Sequence, residues 1–287
     1  MLRFGIGTSQ YIKNYGLLKK NIIKKKFIEL IKKKTRYINL IDTAPSYNNS
    51  EKIIGKYSDI NFKIISKFNK INTTNNNKKF EELKKGFIKS LSDLGRKKIY
   101  AILFHDVRDI NILKDKNIKN KFNKLIKNST IKVGFSTYDI NKLEKYLKIF
   151  KFDIIQIPIN PFNINKEKIL FLKKLKKKYK FEIHARSLFL QGLSLEKTSR
   201  LPKKFNTLKK KIIQIDKLTK KYNISRYIFF ISLIKSLKII NYAIIGMTSK
   251  KDFLTLEKAK LIKIKDKDIY NFEIKNKKLI DPRFWSL

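Results

Sequence analysis

Eight short runs of apolar, largely β-branched residues recur along this chain and alternate with longer stretches of a different pattern. They lie at residues 4–9, 37–44, 62–68, 101–106, 131–137, 153–158, 181–187 and 242–248. Each run is continuously apolar, which is typical of parallel strands that are buried on both faces. This feature restricts the chain to folds in which strands alternate with helices.

The stretches between the runs place apolar residues three and four positions apart, which predicts amphipathic helices. Clear examples are residues 19–34, 78–95, 140–150 and 166–179, and Gly95 fits a helix stop. Residues 207–236 have the pattern of two more helices, and the tail after about residue 261 is irregular. Eight strand–helix units in 287 residues predict the α/β class, as a (β/α)8 TIM barrel.

An open, doubly wound sheet is the alternative fold. It predicts a glycine-rich turn after the first strand, and no GxGxxG motif occurs there. The chain also has no linker rich in Pro, Gly or Ser, so we predict one domain over residues 1–287, with a C-terminal tail from about 261 to 287.

The formal net charge is +46, from 69 Lys and Arg against 23 Asp and Glu. Such a charge attracts nucleic acid or acidic membranes. Only eight of the basic residues are Arg, the residue on which nucleic-acid readers depend for bidentate contacts. Lys, Asn and Ile are all abundant and share A/T-rich codons. We interpret the lysine load as codon bias, with a functional polyanion-binding surface as the alternative, and predict no specific nucleic-acid partner.

Other classes of function are restricted by what the sequence contains. It has no cysteine, which excludes disulfides and thiolate catalysis, and with only two His it predicts no metal site. No apolar run reaches the roughly 18 residues of a membrane span, and no secretory signal is recognisable at the N-terminus. We therefore expect a cytoplasmic protein without a membrane span, as a monomer or weak homo-oligomer.

Four residues with suitable chemistry follow three consecutive predicted strands. Asp42 ends the second strand, Tyr47 lies in the next loop, Lys67 ends the third strand and His105 ends the fourth. In barrels of this kind the active site lies at the carboxyl ends of the strands. A lysine ammonium lowers the pKa of a nearby tyrosine, and an aspartate keeps that lysine charged. The set therefore predicts a tyrosine general acid, with His105 orienting a carbonyl oxygen.

Each of these residues also has an ordinary structural explanation. Asp42 is suited to cap a helix, Lys67 is one of many lysines, and Tyr47 is one of thirteen tyrosines. His105 is more informative because histidine is rare in this chain, although a single His at a strand end is often structural. The specificity lies in the order and spacing of the whole set. Since the side chains offer no hydride donor, reduction would require a nicotinamide cofactor.

Several segments resemble the aldo-keto reductase family. IDTAPSYNNSEKIIG (41–55) is similar to its Asp- and Tyr-containing signature, ISKF (65–68) to its lysine segment and LFHD (103–106) to its histidine segment. Further matches are IKVGFSTY (131–138), DIIQIPINPFN (153–163) and AIIGMTS (243–249). The resemblance covers nearly the whole chain in order, and implies that Asp42, Tyr47, Lys67 and His105 are the catalytic tetrad of an NAD(P)-dependent oxidoreductase.

A bacterial subgroup of that family is the most similar. It shares the opening GTSQYIKNYGL (7–17), the segment EIHARSLFLQGLS (182–194) and the ending DPRFW (281–285). Members of this subgroup resemble carbohydrate-associated reductases of surface-polysaccharide or unusual-sugar pathways. The resemblance therefore implies a small carbonyl substrate that is sugar-like. It also leaves open a barrel that binds the cofactor without turnover and acts as a regulatory module.

The same resemblance implies a set of cofactor-binding residues. Ser136 and Gln156 would bind the nicotinamide carboxamide, and Arg186 would lie at the nicotinamide ring. Ser187 and Gly192 would lie along the pyrophosphate. A phosphate-binding turn would contain Gly246, Thr248 and Ser249. The cofactor is NADP or NAD, with NADPH slightly favoured.

This chain departs from the family pattern in three places. Thr137 stands where Asn is common, Arg186 stands where an aromatic usually stacks on nicotinamide, and Lys250 and Lys251 replace an expected 2′-phosphate arginine. A guanidinium can also stack, or bind an anionic substrate group.

Three further residues are noticeable in the sequence: a second histidine and two aromatic residues of the tail. His184, within the seventh strand, is interpreted as structural. Phe284 and Trp285 in the tail either wall the substrate pocket or anchor the tail on the barrel.

Overall fold

A closed barrel of eight parallel strands forms the centre of the molecule in a computed structural model that describes residues 2–11, 24–32, 34–247 and 249–285. The strands pair in chain order and β8 closes on β1. Their bounds are β1 Arg3–Gly7, β2 Ile38–Asp42, β3 Lys63–Phe68, β4 Ile99–Phe104, β5 Thr130–Ser136, β6 Ile154–Pro158, β7 Glu182–Arg186 and β8 Tyr242–Gly246. Every predicted strand is confirmed, and so is the TIM barrel.

Helices follow the strands and cover the outside of the barrel. They are α1 Lys24–Ile31, α2 Ser50–Tyr57, α3 Asn76–Asp93, α4 Lys116–Ser129, α5 Leu143–Leu147, α6 Lys166–Tyr179, α7 Asn206–Lys221, α8 Arg226–Ser236, α9 Lys250–Glu257, α10 Asp266–Ile269 and α11 Lys277–Ile280. The large core lies between helices and strands, while a smaller cluster that includes Leu40, Ile65 and Leu103 fills the barrel interior. None of the helices in the described ranges is long and apolar enough to cross a membrane.

The predicted helices agree with the structure with two differences. The helix predicted over 140–150 is reduced to α5. Asp153 is held against β5, because its N–H donates to the backbone oxygen of Val133 at 2.7 Å and its Oδ2 accepts from the Val133 N–H at 3.0 Å. The chain therefore has to leave the helix early to reach this position. The tail also contains α10 and α11 and is not wholly irregular. Gly95 does follow α3, with a left-handed φ of +59°. Part of the predicted helix 19–34 and of the motif 7–17 lies outside the described residues.

A polar network closes the end of the barrel where the strands begin. Lys132 forms an ion pair with Glu182, and Tyr100 and His184 hydrogen-bond to the same carboxylate. Burial would raise the pKa of Glu182, but the hydrogen bonds from His184 and Lys132 lower it to about 2. His184 is fully buried, with its ring 4.9 Å from that of Tyr242. These contacts support the structural interpretation of His184.

Gly134 permits the close approach of β5 and β6, the strands that carry Ser136 and Gln156. An ideal Cβ at Gly134 would lie only 2.1 Å from the backbone oxygen of Ile154. Gly134→Ala is therefore expected to destabilise the protein by about 1–3 kcal/mol, measured by urea unfolding. Gly86→Ala is the matched control, because its nearest neighbour would be 3.9 Å away and alanine favours the α3 helix by about 0.5–1 kcal/mol. Equal effects of the two changes would contradict this account.

Candidate active site

The four predicted catalytic residues lie on one wall of a single groove at the carboxyl ends of the strands. Asp42 is the last residue of β2, Lys67 lies in β3, and His105 directly follows β4. Tyr47 lies in the loop between β2 and α2 and is half-buried. All four line a groove of about 1680 Å³. The fold therefore brings together four residues that are spread over more than sixty positions of the sequence.

Asp42 and Lys67 form a buried ion pair. Lys67 Nζ lies 2.8 Å from Asp42 Oδ1 and also donates to the backbone oxygen of Thr43 at 2.8 Å. The second carboxylate oxygen, Oδ2, accepts a hydrogen bond from Gln156 Nε2 at 2.7 Å. Burial would lower the pKa of Lys67, but the charge of Asp42, the Tyr47 hydroxyl and the hydrogen bond to Asp42 together raise it. Lys67 is therefore held as an ammonium ion in the wall of the groove.

Hydrogen bonds from neighbouring segments fix the segment that carries Asp42. The backbone oxygen of Asp42 accepts from Thr8 N–H at 3.0 Å and from the Thr8 hydroxyl at 3.1 Å. The hydroxyls of Thr43 and Ser50 are 2.8 Å apart, and the Ser66 hydroxyl donates to Glu51 at 2.5 Å. Sequence analysis assigned no role to Ser50 and Glu51, although both belong to the signature segment. Their burial and contacts show that they tie the start of α2 to β2 and β3.

Tyr47 lies between the ammonium group and the imidazole. Lys67 Nζ is 5.1 Å from the centre of the Tyr47 ring, and the rings of Tyr47 and His105 are 6.1 Å apart at 86°. His105 is accessible from the groove. Desolvation on its remaining sides, followed by the charge of Lys67, lowers the pKa of His105 to about 4. His105 is therefore neutral near pH 7 and carries a single ring N–H to donate.

Six of the eight residues predicted for the cofactor line the same groove: Ser136, Gln156, Arg186, Ser187, Gly192 and Gly246. Arg186 Nε donates to the Ser136 hydroxyl at 3.2 Å and its Nη1 to the Ser187 hydroxyl at 3.4 Å. Gly192 has φ of +90°, a conformation that favours glycine.

Gly246 lies against the side chain of Gln10, since an ideal Cβ there would be 2.7 Å from the Gln10 amide group. A side chain at this position would therefore displace the Gln10 amide at the β1–β8 rim of the groove.

Ser249, a seventh predicted residue, is not among the residues that line the groove. The Ser249 hydroxyl caps α9 by accepting from Asp252 N–H at 3.2 Å, and Asp252 accepts from the Ser249 N–H at 3.0 Å. Ser249 is thus engaged in a capping box, and it positions the N-terminus of α9. Thr248 lies outside the described residues.

Three buried polar atoms of groove residues have no hydrogen-bond partner within the described parts of the chain. They are Gln10 Oε1, Gln156 Oε1 and the Tyr227 hydroxyl. Buried polar groups are normally satisfied, so these atoms indicate a polar ligand extending along the groove. Gln10 and Tyr227 were not predicted, because neither residue type is distinctive in the sequence and only the fold brings them to this groove.

The C-terminal tail contributes the outer wall. Trp285 is buried against Phe205, with ring centres 5.2 Å apart, and its Nε1 donates to Lys278 O at 3.1 Å. Phe284 is 54% exposed and lines the groove. Each of the two interpretations thus fits one residue, since Trp285 anchors the tail and Phe284 contributes to the wall.

The structure is a (β/α)8 barrel with a groove formed from strand ends and loops, the place where barrels of this class carry their active sites. The chain belongs to the aldo/keto reductase family, whose sequence profile matches residues 4–277. It is therefore an NAD(P)-dependent oxidoreductase. No curated protein matches the sequence closely enough to narrow this assignment.

Solved structures are similar in fold at low sequence identity. An aldo-keto reductase of Bombyx mori in complex with NADP is 15% identical, covers 97% of this chain and 92% of its own, and superposes with a TM-score of 0.67. A glycerol dehydrogenase of Gluconobacter oxydans is 16% identical over 98% and 92%, with a TM-score of 0.66. A thermostable aldo-keto reductase in complex with the inhibitor epalrestat is 17% identical over 93% and 92%, also with a TM-score of 0.66.

Proposed function

We propose that this protein catalyses NAD(P)H-dependent interconversion of a carbonyl and an alcohol on a small, sugar-like substrate, with Tyr47 as general acid and base. The observation that carries the proposal is the arrangement of two groups, an ammonium and an imidazole, around the Tyr47 ring. The Lys67 ammonium, held by Asp42, lies 5.1 Å from the ring centre, and the neutral His105 lies across its edge. A binding module would have no need for this combination.

Tyr47 would transfer the proton during turnover. When bound, the nicotinamide supplies the hydride for reduction. The Tyr47 hydroxyl then donates a proton to the substrate oxygen, and the Lys67 ammonium stabilises the resulting phenolate. Asp42 keeps Lys67 protonated and fixed. The neutral His105 donates its ring N–H to the carbonyl oxygen and so orients it. In the oxidative direction the phenolate accepts the proton from the alcohol.

The residues of the groove fit a nicotinamide dinucleotide. Ser136 and Gln156 are adjacent on β5 and β6, where a hydroxyl and the unpartnered Gln156 Oε1 are suited to bind a carboxamide. The loop with Ser187 and Gly192 is suited to the pyrophosphate, and Gly246 to the phosphate turn. We favour NADPH, because the exposed Lys250 and Lys251 at the start of α9 supply positive charge for a 2′-phosphate.

Fluorescence titration with NADPH and with NADH tests the cofactor assignment. We expect saturable binding at 0.05 M and at 0.3 M added salt, with tighter binding of NADPH. Gln156→Leu is expected to weaken binding about ten-fold, because the amide hydrogen bonds are lost. Lys124→Leu removes a charge on α4, at a position that does not line the groove, and serves as the control. Binding that disappears at the higher salt would reduce the interaction to non-specific attraction by the net charge of +46.

A further inference from the structure

Arg186 is a half-buried guanidinium in the groove with no carboxylate partner among the described residues. The two other arginines of the groove, Arg108 and Arg283, are each paired with an aspartate two positions before them. Removing a charge from water without a counter-ion is costly. An unpaired guanidinium at the end of β7 therefore indicates that an anion completes this site.

The contacts of Arg186 leave part of its donor capacity free. A guanidinium has five N–H donors in one plane. One Nε donor is used by the Ser136 hydroxyl at 3.2 Å and one Nη1 donor by the Ser187 hydroxyl at 3.4 Å. The other three donors have no hydrogen-bond partner among the described residues. The guanidinium carbon Cζ of Arg186 lies 4.1 Å from the centre of the Tyr138 ring, a cation–π contact that helps to hold the guanidinium in place.

A second guanidinium helps to hold this arrangement. Arg283 of the tail lies 3.7 Å from the centre of the same Tyr138 ring and is neutralised by Asp281 at 2.6 Å. The DPRFW segment thus holds the Tyr138 ring against Arg186 without competing with it as a cation. The DPRFW motif, which has no part in the proposed function, is thereby connected with the wall of the proposed active site.

Arg186 is also close to the reacting groups. Its charge opposes protonation of both Lys67 and His105. It bonds Ser136, the residue suited to the nicotinamide carboxamide, which places it beside the substrate end of the groove. An anion bound there would be part of the molecule that carries the reacting carbonyl.

We infer that Arg186 binds an anionic group, a carboxylate or a phosphate, on the carbonyl substrate. This inference rests on the proposed function and names its substrate class: a small acidic aldehyde or ketone, such as a sugar acid or a sugar phosphate. Arg186 is thus a specificity-determining residue, and the Tyr138 ring and Arg283 position it. The hydroxyls of Ser136 and Ser187 are neutral polar groups that hydrogen-bond to Arg186.

Matched substrate pairs test the inference at 0.15 M salt. The carboxylate pair is succinic semialdehyde against butanal, and the phosphate pair is glyceraldehyde 3-phosphate against glyceraldehyde. We expect the wild-type kcat/KM to be higher for at least one anionic member. Arg186→Gln is expected to lower the anionic-to-neutral ratio of that pair about 10- to 100-fold, the range of a charge-assisted hydrogen bond. Arg186→Lys restores part of it, and Arg108→Gln, at another groove arginine, leaves the ratio unchanged.

The ratio separates this role from two others. An effect of the overall charge would fall with salt and would respond equally to Arg108→Gln and Arg186→Gln. A role in cofactor binding would lower both members of a pair equally and raise the Kd for NADPH. Either result, or a wild-type enzyme that does not prefer an anionic member, would overturn the inference. Circular dichroism and thermal unfolding confirm that each variant is folded.

A binding measurement decides the inference even if no carbonyl compound is reduced. The affinities of malonate and inorganic phosphate for the wild type, Arg186→Gln and Arg108→Gln are measured by ligand-observed NMR. Binding that is lost only in Arg186→Gln supports the anion site, and the better ligand identifies carboxylate or phosphate. Equal binding by all three proteins contradicts it. Absence of turnover with intact anion binding would instead reject the proposed function.

Discussion

Tyr47→Phe is expected to lower the kcat for carbonyl reduction by about 10²- to 10⁴-fold, the contribution of a positioned general acid. The phenyl ring keeps its contacts with His105 and with Lys67, so the change removes only the hydroxyl. Lys67 and His105 are less suited to donate a proton, because Lys67 is engaged by Asp42 and Thr43 and the pKa of His105 is lowered to about 4. The measurement is single-turnover oxidation of bound NADPH with an aldehyde substrate.

The matched control is Tyr37→Phe, which removes a tyrosine hydroxyl from a side chain that is 38% exposed and outside the groove. We expect wild-type turnover in that variant, and wild-type affinity for NADPH in both. Retention of most of the activity in Tyr47→Phe would reject Tyr47 as the proton donor. Loss of NADPH binding together with turnover would show that the hydroxyl supports the cofactor site.

Lys67→Met is expected to destabilise the fold by about 3–5 kcal/mol, because it leaves the buried Asp42 carboxylate without its counter-ion. Lys67 is 1% exposed, so solvent does not screen this pair. The hydrogen bond from Gln156 would be the main polar contact left to the Asp42 side chain. Turnover should fall as well, since the charge beside Tyr47 is lost. Denaturant unfolding gives the free energy, and the kcat of the folded variant gives the second effect.

Two variants separate charge from packing. The double change Asp42→Asn with Lys67→Met removes both charges and is expected to recover most of the lost stability while turnover stays low. Lys89→Met breaks an exposed pair with Asp93 on α3, where Lys89 is 67% exposed, and should cost no more than about 1 kcal/mol. If Lys67→Met were no more costly than Lys89→Met, the buried pair would not be the stabilising interaction described here.

Much of the barrel was predictable because its determinants are local. A parallel strand that is buried on both faces has to be continuously apolar, and this is visible in segments such as residues 153–158 without any knowledge of their partners. The positions of Asp42, Lys67 and His105 after successive strands then predicted a common rim, since parallel strands in a barrel end on the same side. The exposed turns around α5 and the short tail helices were less predictable, because long-range contacts such as that of Asp153 set their limits.

The surroundings of these residues depended on contacts between distant parts of the chain. Nothing in the sequence near Gln156 indicates that its amide bonds a carboxylate 114 positions earlier. The aspartates that pair with Arg108 and Arg283 stand two positions before them and are visible in the sequence, but only the folded structure shows that no distant carboxylate of the described residues pairs with Arg186. The role of Ser249 as a helix cap was also decided by geometry at the start of α9.

The sequence by itself determined the eight-stranded barrel and the residues Asp42, Tyr47, Lys67 and His105 that its second, third and fourth strands present. Periodicity and strand-end position are encoded by neighbouring residues, so they need no tertiary information. Only the tertiary structure decided the protonation of Lys67 and His105, the polar closure at the opposite end, and the absence of a carboxylate beside Arg186 among the described residues. Those properties arise from burial and from charges brought within a few ångströms, and both exist only after the chain has folded.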